Sequence, residues 1–194
     1  MFPNLKNQTL ILASQSPRRQ ELLQMMDIDF KVEIIGGIDE NYPKEMAVAD
    51  IPLYIARKKQ NAYTEFWSKP NHIVIVADTV VALDGYILGK PCNYADACKM
   101  LLQLSGKTHT VITGVSIKSK IKKVEFSTQT LVSFKNITRK MIEYYVEKYR
   151  PYDKAGAYGI QEWIGLAGIS KIDGSYFNVM GLPADELYDQ LNVF

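Results

Sequence analysis

The sequence predicts an α/β protein, a mixed twisted sheet flanked by helices, and three observations carry that expectation. Buried-strand patterns at residues 9–13, 30–35 and 72–77 alternate with helical patterns, the order that strand–helix crossovers produce. Asp84-Gly85 between two apolar runs, and long alternating stretches at 108–118 and 123–134, read as hairpins and add antiparallel pairs. No linker, internal repeat or low-complexity tract interrupts the chain, so residues 1–194 read as a single domain.

Each element has a local reason. Residues 9–13 are a short run rich in Leu and Ile, suited to a buried strand. Ser16-Pro17 then supplies an N-cap and a proline at the first helical position, opening a helix through Met26. Residues 30–35 read as a second strand, ending in the polar loop Gly36-Gly37-Ile38-Asp39-Glu40-Asn41-Tyr42-Pro43. Asp50-Ile51-Pro52 opens a helix on which Ile55, Ala56, Lys59 and Tyr63 fall along neighbouring turns.

Residues 72–77 are nearly all β-branched, as in a central strand, and Asp84-Gly85 turns the chain between 80–83 and 86–88. Residues 93–104 form a helix closed by Gly106. The stretches 108–118 and 123–134 pair through the Lys-rich turn Ser119-Lys120-Ile121-Lys122. Thr138 caps a helix that stops before Arg150-Pro151. Residues 176–180 read as a last strand and 184–191 as a terminal helix.

Composition excludes several classes. The 194 residues are 47% hydrophobic, enough for one domain, or one compact body of two lobes, with a full core. Gly 12 and Pro 8 are ordinary counts, which excludes collagen-like and Pro/Gly-rich disordered chains. A net charge of +2 gives no global pull toward nucleic acid or an acidic membrane. No apolar run has the length of a membrane span, and residues 9–13 are too short for a signal-peptide core. Cys92 and Cys98 match neither a metal-site nor a CxxC spacing. The expectation is a reduced, cytoplasmic protein without a membrane or nucleic-acid partner.

Four constellations bear on chemistry. Ser14-Gln15-Ser16-Pro17-Arg18-Arg19 lies where a strand meets a helix start, whose unpaired N–H groups favour a phosphate. Two arginines in a first turn oppose the helix dipole, a cost that a bound anion offsets; a capped helix with solvated arginines is the alternative. Asp78-Thr79 follows the buried run at the position where open α/β sheets bind ligands. There an aspartate suits a divalent cation or a proton from water; a turn or an ion pair with lysine is the alternative.

Glu40, Lys59 and Lys90 are single charges whose convergence spacing cannot establish. Finally, the small residues Ala155, Gly156, Ala157 and Gly159 permit close backbone approach to a ligand or to another backbone, and Gln161 can hydrogen-bond a base edge. His72 and His109 have no paired ligand nearby, and neither a Walker loop nor GxGxxG occurs.

Taken in order, these segments resemble the Maf family of nucleoside triphosphate pyrophosphatases. The resemblance rests on Leu12-Ala13-Ser14-Gln15-Ser16-Pro17-Arg18-Arg19, Ala77-Asp78-Thr79-Val80, Gly89-Lys90-Pro91 and Leu104-Ser105-Gly106-Lys107-Thr108-His109. It continues through residues 153–161, Gly174-Ser175-Tyr176 and Val179-Met180-Gly181-Leu182-Pro183. It implies a Maf/ITPase-like fold, a compact two-lobed single domain with a cleft.

The implied activity is hydrolysis between the α and β phosphates, with Mg²⁺ or Mn²⁺ as divalent cofactor and a homodimer as the assembly. The combination of Ser-Pro-Arg-Arg, Ala-Asp-Thr and Gly-Ile-Gln is similar to the branch that prefers dTTP and UTP and extends to modified pyrimidine nucleotides. By that resemblance Asp78 is the general base and Arg18, Thr79 and Gln161 set base preference. Glu40, Lys59 and Lys90 serve the phosphates and metal, with Ser14 and Arg19 also on the substrate and Glu40 with Asp78 as metal ligands.

Two positions depart from the family pattern: Gln60 stands where a small residue is expected, and Glu162-Trp163 replaces small or Gly-rich sequence. A second reading is a regulator of septum formation that binds nucleotide or nucleic acid without turnover; retention of Asp78 with Lys59, Lys90 and Glu40 favours catalysis.

Overall fold

A computed structural model describes residues 2–194. The chain runs β1 (Thr9–Leu12), α1 (Pro17–Gln24), β2 (Phe30–Val32), α2 (Ile51–Ala62), α3 (Thr64–Trp67), β3 (His72–Leu83) and β4 (Tyr86–Leu88). It continues α4 (Tyr94–Leu104), β5 (Thr108–Lys118), β6 (Lys123–Phe134), α5 (Arg139–Tyr149), α6 (Trp163–Gly168), β7 (Ile169–Asp173), α7 (Tyr176–Met180) and α8 (Ala184–Asn192). The seven strands form a sheet in the order β2-β1-β3-β5-β6-β7, with β4 on β3. β1 is parallel to β2 and β3, whereas β4 and β7 are antiparallel to their neighbours, so the sheet is mixed as the sequence predicts. Among the described residues no helix is long and apolar enough to cross a membrane.

Contacts divide the chain into two compact units. The first holds the chain up to Asp78, Thr113–Thr128 and Gly181–Phe194; the second holds Thr79–Ile112 and Gln129–Met180.

In the first unit Ala56 of α2 and Tyr63 just after it pack with Ile11 of β1, Ala13 just after it, and Val74 and Val76 of β3. The approach is close at Gly114, where a Cβ would lie 2.2 Å from Leu53 N, so β5 needs glycine opposite the first turn of α2. The Tyr63 hydroxyl accepts from Ile35 N at 3.0 Å and donates to Glu33 O at 3.0 Å. That side-chain partner is why β2 ends at Val32 although the strand pattern runs on to Ile35. α1 is also shorter than its pattern, ending near Met25 with Asp27 left-handed at φ 53.

The second unit has its own core, in which Leu101 and Leu104 of α4 meet Ile142, Tyr145 and Val146 of α5 over Val111, Val132 and Phe134. Asn93 and Thr138 cap these helices through their side chains, accepting from Asp96 N and Met141 N.

The segment 176–180, which reads as a strand, is instead the helix α7, and the last strand is Ile169–Asp173. Gly174, at φ 125 and packed on Thr130, turns the chain there. Ser175 Oγ then accepts from Asn178 N at 3.2 Å, and buried Asn178 donates to Val111 O at 3.1 Å and Thr130 Oγ1 at 2.9 Å. Those tertiary hydrogen bonds outweigh the strand propensity of Tyr176, Phe177 and Val179.

Candidate active site

The corner after β1 is built by Ser14 rather than Ser16. Ser16 holds the N-cap position of α1 without a side-chain capping bond, while Ser14 Oγ accepts from Ser16 N at 3.2 Å and Arg19 Nη1 at 3.3 Å. Arg19 also donates from Nε to Gly181 O at 2.8 Å and from Nη1 to Ala77 O at 2.7 Å. It therefore braces α1 against the residue before Asp78 and against the chain entering α8. Burial pulls its guanidinium below the ordinary value and Asp78 opposes the shift; an arginine stays cationic throughout. Arg18 lies half-buried beside it in the first turn.

Next to this corner two carboxylates meet one ammonium. Lys59 Nζ, on α2, lies 2.7 Å from Asp78 Oδ1 and 2.8 Å from Glu40 Oε1. The loop carrying Glu40 is held by the preceding lysine: Lys58 Nζ donates to Asp39 Oδ2 at 2.6 Å and Asn41 O at 2.9 Å. An Asx turn from Asn41 N to Asp39 Oδ1, 2.9 Å, completes the clasp. These Lys58 and Asn41 bonds hold the Asp39 carboxyl below its usual value.

Asp78 and Glu40 differ in environment. The Asp78 side chain is 12% exposed and that of Glu40 58%. Burial raises the Asp78 carboxyl above its ordinary value, with Lys59 and then Arg19 pulling the other way and Glu40 adding to the rise. Asp78 does not end its strand as expected, because β3 runs on to Leu83 and its far end pairs with β4 from Val81↔Leu88 to Leu83↔Tyr86.

The pair fits a divalent cation. Glu40 and Asp78 offer hard oxygen donors that already converge on one positive charge. Mg²⁺ is held by one or two carboxylates and completes its shell with water and substrate phosphate. Among the described residues no group of three or more His, Cys, Asp or Glu side chains comes together.

The other predicted residues belong to the second unit. Thr79 is half-buried and follows Asp78 on β3, Lys90 is exposed between β4 and α4, and Gln161 is exposed after buried Ile160. Gly156 N donates to Gly89 O at 3.0 Å, which ties the segment 153–161 to the residue before Lys90. A Cβ on Gly156 would meet Val81 Cγ1 at 3.0 Å, so this small residue serves close packing within the unit. Sequence reasoning missed Tyr145, and named Lys154 only within the segment 153–161 and Glu162 only as a departure from the family pattern; the three interlock through the Lys154–Glu162 ion pair and the Tyr145–Glu162 hydrogen bond.

A buried strand aspartate that shares one lysine with Glu40, and arginines at a helix start, define an α/β protein suited to a phosphate-bearing ligand. The chain belongs to the Maf family: the Maf-like protein family matches residues 9–194. It is 49% identical to the dTTP/UTP pyrophosphatase of Parabacteroides distasonis over 100% of both chains. It is 50% identical to that of Phocaeicola vulgatus over 98% of each, and 48% identical to that of Porphyromonas gingivalis over 100% of this chain and 98% of the relative. A solved HAM1 protein from Coxiella burnetii is a more distant likeness, 11% identical at TM-score 0.49 over 96% of this chain and 97% of that one.

Proposed function

We propose that this protein is a nucleoside triphosphate pyrophosphatase that hydrolyses dTTP and UTP, and modified pyrimidine nucleotides, to the monophosphate and pyrophosphate, clearing the nucleotide pool. The observation that carries the reading is the meeting of Glu40, Lys59 and Asp78 at one point beside Arg19. The names of relatives near 50% identity across the whole chain support the choice of substrate.

Asp78 takes the proton from the attacking water. Its hydrogen bond from Lys59 is on Oδ1, which holds that oxygen in place. Burial raises its affinity for a proton toward the working range of a general base. The water oxygen bonds to Pα, the bond from Pα to the bridging oxygen breaks, and that oxygen leaves with the pyrophosphate. Lys59 and Lys90 offset the negative charge that gathers on the leaving group. A Mg²⁺ or Mn²⁺ held by Glu40 and Asp78 would supply further charge neutralisation and substrate orientation. Ser14 and Arg19 hold the corner on which the phosphates rest, and Arg18, Thr79 and Gln161 read the base.

The assembly is a homodimer in a reduced, cytoplasmic setting. Exposed apolar side chains such as Leu102, Tyr144 and Leu166 supply surface for a second copy to cover, and sedimentation at micromolar concentration reads the mass directly.

The test is pyrophosphate release from dTTP, UTP, CTP and GTP with Mg²⁺, Mn²⁺ or chelator. Metal-dependent release highest with dTTP and UTP is the expected result, and Glu40→Gln raises the metal concentration needed for half-maximal rate about tenfold. Release highest with a purine discards the base assignments, and silence across the panel from folded protein discards the enzyme.

A further inference from the structure

Adjoining Gln161 in the chain is a cluster that the reaction does not use. Lys154 is 9% exposed, and its ammonium lies 2.8 Å from Asp153 Oδ1 and 3.1 Å from Glu162 Oε1. The other Glu162 oxygen accepts the hydroxyl proton of Tyr145, a wholly buried residue of α5. Tyr145 Oη in turn accepts from Gly159 N at 3.0 Å. The carboxylate rests directly on the backbone here: a Cβ on Gly159 would fall 2.8 Å from Glu162 Cδ and 3.0 Å from Lys154 Cε. The chain from Lys154 to Glu162 is thus closed into a loop by side chains at its own two ends.

That loop holds an unfavoured backbone. Gly156 and Ala157 are both left-handed, at φ 70 and φ 59, and alanine enters that region only when its surroundings enforce it. The enforcing bonds are Gly156 N to Gly89 O at 3.0 Å and Ala157 N to Lys154 O at 3.1 Å at one end. At the other, Glu162 N donates to Gly159 O at 3.1 Å and Gly165 N to Glu162 O at 2.9 Å. Gln161 is the exposed residue of this closure, flanked by buried Ile160 and the anchored Glu162.

We propose that Glu162, clasped by Lys154 and Tyr145, is a positioning residue for base selection, holding the backbone that presents the Gln161 amide. The assignment rests on the reading of Gln161 as a base-contacting residue. It gives the departure from small sequence at position 162 a purpose: a carboxylate there replaces backbone flexibility with a fixed anchor. An ion pair that only stabilised the fold would change the amount of active enzyme, equally for every nucleotide. An anchor for the amide changes the ratio between nucleotides, because a misdirected amide loses its hydrogen bond to the preferred base alone.

The experiment measures kcat and KM for dTTP and CTP, with saturating Mg²⁺, on the full chain and on Gln161→Ala, Glu162→Gln, Tyr145→Phe and the double variant. The ratio of the two kcat/KM values is independent of any unfolded fraction. Gln161→Ala narrows the dTTP preference. Glu162→Gln and Tyr145→Phe each narrow it about three- to tenfold, the scale of one weakened hydrogen bond, chiefly through KM for dTTP. The double variant narrows it no further than the stronger single one, since both break one clasp.

Ratios within twofold of wild type in both single variants, with Gln161→Ala narrowed, overturn the proposal and leave the reading of Gln161 standing. An unchanged ratio in Gln161→Ala overturns that reading and the proposal with it. If Glu162→Gln does not fold, Tyr145→Phe keeps the buried ring and decides alone.

Discussion

Lys59 Nζ donates to Asp78 Oδ1 at 2.7 Å, joining α2 to β3 across a sequence separation of 19 residues, and the same ammonium holds Glu40 at 2.8 Å. One cation thus fixes two carboxylates that would otherwise repel each other. Asp78→Asn keeps the shape and removes the base, so kcat falls by about 10²–10⁴-fold while KM for dTTP moves little. Pyrophosphate release with circular dichroism as the folding control checks this, and an unchanged kcat removes Asp78 from its role.

Arg19 tests as a brace. Its bonds to Gly181 O, Ala77 O and Ser14 Oγ, three ties between separate segments, are lost in Arg19→Met. The expected loss is about 2 kcal/mol or more, a fall in Tm of roughly 4–8 °C. Arg19→Lys does not restore it, because one ammonium does not reproduce the fork. A thermal scan decides, and an unchanged Tm with reduced activity would confine Arg19 to the substrate.

His109 makes stability depend on pH. It is buried, its Nε2 lies 2.7 Å from the Tyr158 hydroxyl, and Nδ1 meets no hydrogen-bond partner among the described residues. Burial pulls its pKa from 6.5 to about 4. Between those values the unfolded chain takes up a proton that the native state refuses, so the histidine's contribution to stability falls as pH drops from 6.5 and levels off below about 4. The full effect is about 3 kcal/mol. Denaturant titrations at several pH values show this slope in the wild type and its absence in His109→Gln.

Gln60 works against the fold. It is 1% exposed, and neither amide atom has a hydrogen-bond partner among the described residues. Gln60→Met keeps length and removes the unmet polar atoms, so stability rises by about 1–3 kcal/mol. A fall in Cm without change in m would show instead that the amide is satisfied by buried water.

What the sequence determined by itself was local. The strands Thr108–Lys118 and Lys123–Phe134 have the bounds their alternation predicts, and Asp84-Gly85 turns β3 into β4 as that dipeptide does. Asn93 and Thr138 cap α4 and α5 because a short polar side chain reaches its own helix start in any context. Tertiary structure decided the rest. The segment 176–180 became a helix because Asn178 finds buried partners on β5 and β6, at separations of 67 and 48 residues that no window spans. Glu40 reached Asp78 only because Lys58 and Lys59, neighbours on one helix, hold the loop in place. Glu162 carries no local sign of its partner on α5, since Tyr145 lies 17 residues earlier. Caps and turns are settled by bonds within a few residues, whereas a site is settled by bonds between segments that folding brings together.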